Sequence, residues 1–591
     1  MKMKRLASLL LCGLMAVPMA ACGGGGGGGG DFDRNKTTVI ECAVHNGGIR
    51  WAWLEEAGAR FSKLKENEHY ADGKTGVQIS ITPGNGLANK AMNTDGYNIY
   101  FVERTDTYSF IASDLLMDIT EVFDSVDSTG KPLKERIDPT VLPSLRGNDP
   151  NKYYVLPWME HYSGMSYDVE TFDFCGSWFA DPADANAKDF TCQYGTAKMV
   201  GKNGTARKAC GPDGEYGTDD DGLPTSLQEL LILCQYQKTL GVEPITISGK
   251  YIGYSFYLLA SLWASIAGYD QMQAIYSFDG TEVECIKLDQ NGELMFTDEN
   301  LFQGINYIKK PVTEMVPLTM ENGYRSNDMA AKYYAAAFLE VIDKEGLMSK
   351  DSNEDINHTD TEKNFLLGGQ SVGGQTIKRK GMLIDGSYWW VESELSNNFS
   401  TYEKVTKKSI EDRQIKFMRL PTSLNTTTTE GNGEKNTMID TGMGVCYVNN
   451  NIKGNDELTR ACMDFLKFLY TTEESIKFTE ASGSVRAIDY TVDSSKLGSI
   501  FYSDLVELRQ NSNVVLFTAV NDNPVFKYNR GSLKIELNTE RFRPTINNFQ
   551  YNNFLQAYRE AKKGTINANA KICFDLTRFK QAEWAAFLPK N

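Results

Sequence analysis

The sequence predicts an α/β fold built on largely parallel sheets and divided into more than one domain. The 591 residues are enough for two or more domains with cores of their own. A hydrophobic content of 41% and an aromatic content of 11% are typical of a globular chain. Segments with strand-like and helix-like periodicity alternate after residue 37, which is the pattern of an α/β domain.

The N-terminal segment predicts export and membrane attachment. Residues 1–21 combine early cations, a short apolar stretch and small residues before Cys22, as a bacterial signal peptide does. The cysteine at the cleavage point resembles the lipobox, in which it receives a diacylglycerol. Eight glycines follow it, so we interpret residues 22–36 as the lipidated cysteine and a flexible tether. The alternative is an ordinary secretory signal with an incidental cysteine.

Charge and cysteine content exclude several classes of protein. The formal net charge is −16, and basic residues occur only in short clusters such as the one at 378–380, so we expect no nucleic-acid partner. The eleven cysteines include no CxxC pair, which disfavours zinc-ribbon and thioredoxin-like chemistry. One disulfide is possible among Cys175, Cys192 and Cys210.

Individual elements follow from local pattern. "TTVIECAV", "VQISITPG" and "YNIYFVE" read as strands, and "RWAWLEEAGARFSKLKE" between them has helical apolar spacing. "LPTSLQELLILCQYQK" predicts a helix opened by a capping box of Thr225 and Gln228. "YSFYLLASLWASIAGY" predicts a buried helix, and "NDELTRACMDFLKFLY" an amphipathic one. "KGMLIDGSYWW" predicts a strand that runs into three aromatic residues.

Six of these local patterns, taken in order, resemble a known family. They are the strand–helix opening, "YNIYFVERTDTYSFIASDLLMDIT", "KYYVLPWMEHYSGMSYD", "LPTSLQELL", "KGMLIDGSYWW" and "LTRACMDFLKFLYTTEESIKFTEASGSV". Together they resemble the solute-binding proteins of ABC importers, in the carbohydrate-binding group that includes maltose-binding protein. Departures from the family pattern include Ser226 and Leu227, and Asp168 in place of asparagine.

The resemblance implies a two-lobed, type II periplasmic-binding-protein-like fold with hinge strands between the lobes. The chain would cross between lobes near Pro157, near residue 440 and near residue 485. The implied ranges are lobe 1 at 37–157, lobe 2 at 158–439 with insertions near 172–222 and 280–375, a return to lobe 1 at 440–485, and lobe 2 with C-terminal helices at 486–591.

A carbohydrate site needs aromatic platforms together with polar groups that exchange hydrogen bonds with hydroxyls. "DGSYWW" offers Asp385, Tyr388, Trp389 and Trp390, and in the family this motif contributes an aromatic platform. Neighbours on a strand face opposite sides, so the three rings cannot all enter the core on one face. We therefore expect at least one of them to line the cleft between the lobes, where the resemblance places the ligand. The alternative is that the rings belong to the core.

Further ligand candidates lie at the first crossing and at strand ends, where open α/β sheets bind ligands. For the polar ones a solvated loop is an equal alternative. The candidates are Trp158 and Glu160 at the crossing, Glu103, Arg104 and Asp106 after one strand, and His45 and Asn46 after the first.

The acidic stretch "GPDGEYGTDDDGLP" resembles loops that wrap calcium. It supplies Asp213, Asp219, Asp220 and Asp221, and it falls in the first insertion, so a calcium ion there would be structural. An acidic turn without metal is the alternative. We expect no other cofactor.

An enzyme is the competing hypothesis. "GGQSVGG" matches G-x-S-x-G around Ser371, but all four histidines precede it, which is not the hydrolase order. Glu392 and Glu394 would face one way on a strand and could serve a surface-anchored glycosidase. We favour a monomeric, non-enzymatic protein at the outer face of the bacterial cytoplasmic membrane, with an oligosaccharide and ABC permease subunits as its partners.

Overall fold

The computed structural model describes residues 33–84, 96–103, 107–425, 435–517 and 522–590, apart from the side chains of 530, 531, 534, 535 and 538. Two main sheets flanked by helices confirm the predicted two-lobed α/β fold. No helix within these ranges is long and apolar enough to span a membrane.

The strands are β1 (Thr38–His45), β2 (Val77–Gly84), β3 (Ile99–Val102), β4 (Val155–Met159), β5 (Tyr162–Asp168), β6 (Lys188–Cys192), β7 (Gly195–Met199), β8 (Glu243–Thr246), β9 (Asp279–Ile286), β10 (Phe296–Asn300), β11 (Lys309–Pro311), β12 (Thr313–Thr319), β13 (Ser371–Val372), β14 (Gln375–Thr376), β15 (Lys380–Gly386), β16 (Ile415–Phe417), β17 (Asn436–Asp440), β18 (Gly444–Val448), β19 (Ser512–Leu516), β20 (Thr545–Ile546) and β21 (Phe549–Gln550).

The helices are α1 (Ala52–Leu64), α2 (Thr107–Ala112), α3 (Thr120–Phe123), α4 (Leu133–Arg136), α5 (Val169–Cys175), α6 (Leu227–Thr239), α7 (Ser255–Ser277), α8 (Ala330–Lys344), α9 (His358–Leu366), α10 (Trp389–Leu395), α11 (Asn398–Thr406), α12 (Asp456–Leu469), α13 (Thr472–Ser482), α14 (Ile500–Gln510), α15 (Pro524–Asn538), α16 (Phe554–Lys562), α17 (Ala570–Leu576) and α18 (Gln581–Trp584).

Each lobe is centred on one sheet. The first sheet has the order β2-β1-β3-β18-β4, with β2 and β3 parallel to β1 and with β18 antiparallel to β3 and β4. The second has the order β19-β17-β5-β15-β8, and β16 pairs with β5. In both sheets strands distant in sequence lie side by side, so neither lobe is a single continuous segment.

Three chain segments connect the lobes. The chain leaves the first sheet after Met159 and enters the second at Tyr162, and it returns between Asp440 and Gly444. The third segment lies beside the first, because the Glu160 amide donates to the Val485 carbonyl at 2.8 Å. The His161 carbonyl accepts from the Thr441 amide at 3.0 Å, which ties the first segment to the second.

The helices form where apolar residues recur at helical spacing and an N-cap side chain precedes them. Asn455 caps α12 by accepting from the Leu458 amide at 3.1 Å, and Phe465 on its apolar stripe is fully buried. The apolar stretch at 254–269 lies mostly in the buried helix α7, which is kinked at Gly268 with φ of 77°.

The predicted capping box of Thr225 and Gln228 is displaced by one residue. Ser226 is the extended N-cap and its hydroxyl accepts from the Glu229 amide at 3.1 Å. The Glu229 carboxylate in turn accepts from the Thr225 amide and hydroxyl, both at 2.7 Å. Glu229 is therefore the acid of this reciprocal cap, and it binds the residue before the N-cap.

The aromatic motif after β15 also differs from expectation. The strand ends at Gly386, and Trp389 and Trp390 begin helix α10. Neighbouring side chains alternate between two faces only on a strand, so the rings of Trp389 and Trp390 do not lie on opposite faces of the sheet.

Candidate functional site

The polar groups at the strand ends of the two lobes meet at one place, which we call the junction. His45 ends β1 and Glu103 follows β3 in the first lobe, with His45 Nε2 3.2 Å from Glu103 Oε1. Tyr388 follows β15 in the second lobe. A Cβ built on Gly48, in the loop after β1, would lie 3.8 Å from Tyr388 Cβ. The junction therefore contains predicted residues from both lobes.

The lobes are closed on each other at the junction. The cavity between them has a volume of about 10 Å³ and is lined from both lobes and the connecting segments, including Ile49, His161, Tyr388 and Ser484. The ring of His161 lies 5.3 Å from that of Tyr388. This volume suits about one water molecule, so a sugar ring requires the lobes to separate. Arg146 of the first lobe pairs with Asp522 of the second.

A row of tyrosines extends from the junction into the second lobe. The Tyr388 hydroxyl donates to the Tyr257 hydroxyl at 3.0 Å, and Tyr257 stacks on Tyr254 at 5.2 Å. Tyr251 stacks on Tyr254 at 6.2 Å. Sequence reasoning missed this row, although "YIGYSFY" shows the three tyrosines at intervals of three residues. Such rings offer the flat apolar faces on which sugars stack.

Beside the tyrosines lies a cluster of acids, in which Asp385 and Glu362 are buried and Glu392 is partly exposed. Burial raises the pKa of Asp385, at the end of β15, to about 8, and it raises the pKa of Glu362 and Glu392 well above the usual range. Asp385, and to a smaller extent Glu103 of the first lobe, raise the pKa of Glu392 further. In the described part of the chain, His358, Glu362 and Glu392 form the one group of three or more potential metal ligands whose ligand atoms all lie within 4.8 Å of one another.

The three predicted tryptophans lie in the core. Trp158 stacks on Trp53 at 5.5 Å, and its indole N–H donates to the Val102 carbonyl at 2.8 Å. Trp389 is fully buried and donates to Ser166 Oγ at 2.9 Å. Trp390 stacks on Phe501 at 5.1 Å and is 3% exposed. Helix α10 turns Trp389 and Trp390 into the interior, which is the alternative core role, and leaves Tyr388 as the one ring of the motif at the junction.

Of the remaining ligand candidates, one is buried in an ion pair, one is exposed, and two lie outside the described residues. Glu160 is 3% exposed and is bound by Arg509 at 2.7 and 3.0 Å and by the Tyr162 hydroxyl. Asn46 is exposed. Arg104, Asp106 and Cys22 lie outside the described residues.

The four aspartates predicted to bind calcium have protein donors as partners. Asp219 accepts from Lys416 at 2.7 Å, and Arg419 Nε lies 3.3 Å from Asp220 Oδ2. Asp220 also accepts from the Asp213 amide at 3.0 Å, and Asp221 from the Gly217 amide at 2.9 Å. Lysine and arginine therefore neutralise part of the negative charge that would attract a cation.

The predicted glycosidase pair does not form. On helix α10, Glu392 points toward the buried acids, whereas Glu394 is exposed. The two carboxylates therefore do not face a common substrate position, as the strand interpretation required. Cys175, Cys192 and Cys210 carry free thiols, so the possible disulfide is absent.

Comparisons with known proteins give similarity at the level of structure alone. No family model matches the sequence, and no curated protein matches it. A chitin oligosaccharide binding protein aligns at 13% identity over 92% of this chain and 98% of its own, with a TM-score of 0.48. The maltose-bound MalE3 of T. maritima aligns at 11% identity over 93% and 100%, with a TM-score of 0.47. A protein described in connection with xylan utilization by the thermophilic bacterium Caldanaerobius polysaccharolyticus aligns at 14% identity over 91% and 99%, with a TM-score of 0.49.

Proposed function

We propose that this protein captures a carbohydrate between its two lobes and delivers it to an ABC importer. The observation that carries the proposal is the junction. There, His45 and Glu103 pair at the strand ends of the first lobe, the loop after β1 approaches Tyr388 of the second lobe, and a small closed cavity is lined from both lobes.

Capture between lobes requires that the ligand contact both of them. A ligand shifts the equilibrium toward the closed form only by as much as it binds that form better than the open form. His45 and Glu103 would bind hydroxyls from one side, while Tyr388 and the tyrosine row would stack from the other. The three connections, at 160–161, at 441–443 and near residue 485, would be the hinges about which the lobes separate.

The proposal includes an anchor and a permease partner. Acylation of Cys22 would hold the chain at the outer face of the bacterial cytoplasmic membrane, and the glycine tether would let the lobes reach a permease. Incorporation of a radiolabelled fatty acid, and its loss in Cys22→Ser, tests the anchor separately from ligand capture.

A thermal-shift screen of oligosaccharides tests the function. A ligand that binds only the folded state stabilises it by RT ln(1 + [L]/Kd), so a ligand at about one hundred times its Kd adds about 2.7 kcal/mol. We expect one class of oligosaccharide to raise Tm in a concentration-dependent way, with no product formed on long incubation. Product formation would instead support the glycosidase.

A further inference from the structure

The acid cluster beside the junction contains a histidine and two glutamates that converge from two helices. His358 and Glu362 are four residues apart on α9 and therefore lie on the same face of it. Glu392 comes from α10, and its Oε2 lies 3.8 Å from His358 Nε2. One ligand atom of each residue lies within 4.8 Å of the other two.

Three buried polar atoms of this cluster have no hydrogen-bond partner among the described residues. Glu362 is fully buried; one of its carboxylate oxygens accepts from Ser393 Oγ at 2.6 Å, and Oε1 has no hydrogen-bond partner. Glu392 Oε2 and His358 Nδ1 are also buried without a hydrogen bond. An uncompensated buried carboxylate costs several kcal/mol, so a proton or a cation has to offset these charges.

Protein cations do not supply that charge. Within the described residues, no lysine or arginine forms an ion pair with Glu362 or Glu392. Buried acids elsewhere in the same lobe have such partners, as the pairing of Asp168 with Arg413 at 2.9 Å shows. The neighbouring groups Asp385 and Glu103 are acids and add to the negative potential.

We propose that His358, Glu362 and Glu392 bind a divalent transition-metal ion of the Zn²⁺ class. One imidazole nitrogen with two carboxylates suits Zn²⁺, whereas Ca²⁺ and Mg²⁺ prefer sites made of oxygen alone. Two carboxylates would balance the charge of the ion.

Calorimetric titration with ZnCl₂ tests the site on the purified chain after treatment with a chelator and dialysis. We expect one Zn²⁺ ion to bind the wild-type chain, and MgCl₂ and CaCl₂ to give no comparable signal. Glu362→Gln keeps the shape and the acceptor for Ser393 but removes the charge, and it should weaken Zn²⁺ binding at least tenfold. Glu392→Gln should do the same.

Glu394→Gln is the matched control, because Glu394 is an exposed acid on the same helix as Glu392. Its affinity for Zn²⁺ should equal that of the wild type. Circular dichroism shows whether each variant is folded. If Glu362→Gln does not fold, Glu392→Gln still tests the site. Absence of Zn²⁺ binding to the wild type, or wild-type affinity in a folded Glu362→Gln or Glu392→Gln variant, would overturn the proposal. No sugar is used, so the result does not depend on the proposed function.

Discussion

Two groups of buried acids in the second lobe differ in how their charge is compensated. Asp168 is fully buried, and Arg413 donates to both of its oxygens at 2.9 Å. The same carboxylate caps α5 by accepting from the Thr171 amide at 3.1 Å and from its hydroxyl at 2.6 Å. Glu362 is equally buried, but among the described residues it accepts a hydrogen bond only from Ser393, and its neighbours Glu392 and Asp385 are acids too.

Whether a buried acid has a cationic partner distinguishes residues that stabilise the fold from residues that are available to a ligand. A buried ion pair with all its hydrogen bonds made is part of the interior, and its loss leaves a bare charge. Clustered acids with raised pKa values beside a cleft are typical of functional sites. The interior of the lobe and its junction side should therefore respond to mutation in different ways.

The largest expected effect comes from Arg413→Met, which leaves Asp168 buried without its partner. We expect a loss of about 4 kcal/mol in the free energy of unfolding, measured by urea denaturation. Glu362→Gln, measured with a chelator present, should change stability by less than about 1 kcal/mol, because it removes a charge that no protein cation balances. Equal losses in the two variants would remove the distinction between the two groups of acids.

Trp389→Ala tests whether the motif after β15 belongs to the interior. Trp389 is fully buried, lies 5.4 Å from Phe501 and donates to Ser166, so its truncation should cost about 3 kcal/mol of stability. Thermal unfolding of the variant measures this loss. A variant that keeps full stability but binds sugar more weakly would show instead that Trp389 contacts the ligand.

Arg146→Gln tests an ion pair that joins the two lobes away from the hinges. Arg146 pairs with Asp522, and both side chains are partly exposed, so the pair should contribute no more than about 1 kcal/mol to closure. We expect a small increase in the radius of gyration by X-ray scattering and little change in Tm. Lys63→Gln, which breaks the exposed pair with Glu66 within the first lobe, should leave the radius of gyration unchanged.

The smallest effect concerns the acidic insertion. Lys416 and Arg419 already bind Asp219 and Asp220, so a chelator should leave Tm unchanged in the wild type. In the double variant Asp219→Asn, Asp221→Asn, the chelator should likewise leave Tm unchanged. A chelator-induced fall in Tm that disappears in the double variant would support the predicted calcium site.

The sequence predicted the fold better than it predicted the site. Helical and strand periodicity is a property of neighbouring residues, so β1, α1 and α12 could be predicted directly. The direction of the rings after β15 depends on where the strand ends and α10 begins, which is set by packing against Phe501 from a helix more than one hundred residues away. Local pattern contained no information on that contact.

The sequence patterns did not reveal the acid cluster of His358, Glu362 and Glu392 for a related reason. His358 and Glu362 stand four apart in a segment that reads as a helix, so their pairing was visible in the sequence. Glu392 joins them only through the packing of α10 against α9, and on the predicted strand it would have faced the same way as Glu394. The signal that could have found the cluster is the histidine and glutamate spacing on one helix face.

Calorimetric titration of Tyr388→Ala tests the central claim, that the junction between the lobes binds carbohydrate, most directly. The ligand is the oligosaccharide with the largest thermal shift, and Tyr528→Ala, an exposed tyrosine on α15, is the control. We expect one-to-one binding to the wild type and to the control. Tyr388→Ala should lose about 2 kcal/mol, or roughly thirtyfold in affinity. Unchanged affinity in a folded Tyr388→Ala variant, or no binding of any oligosaccharide to the wild type, would contradict the account.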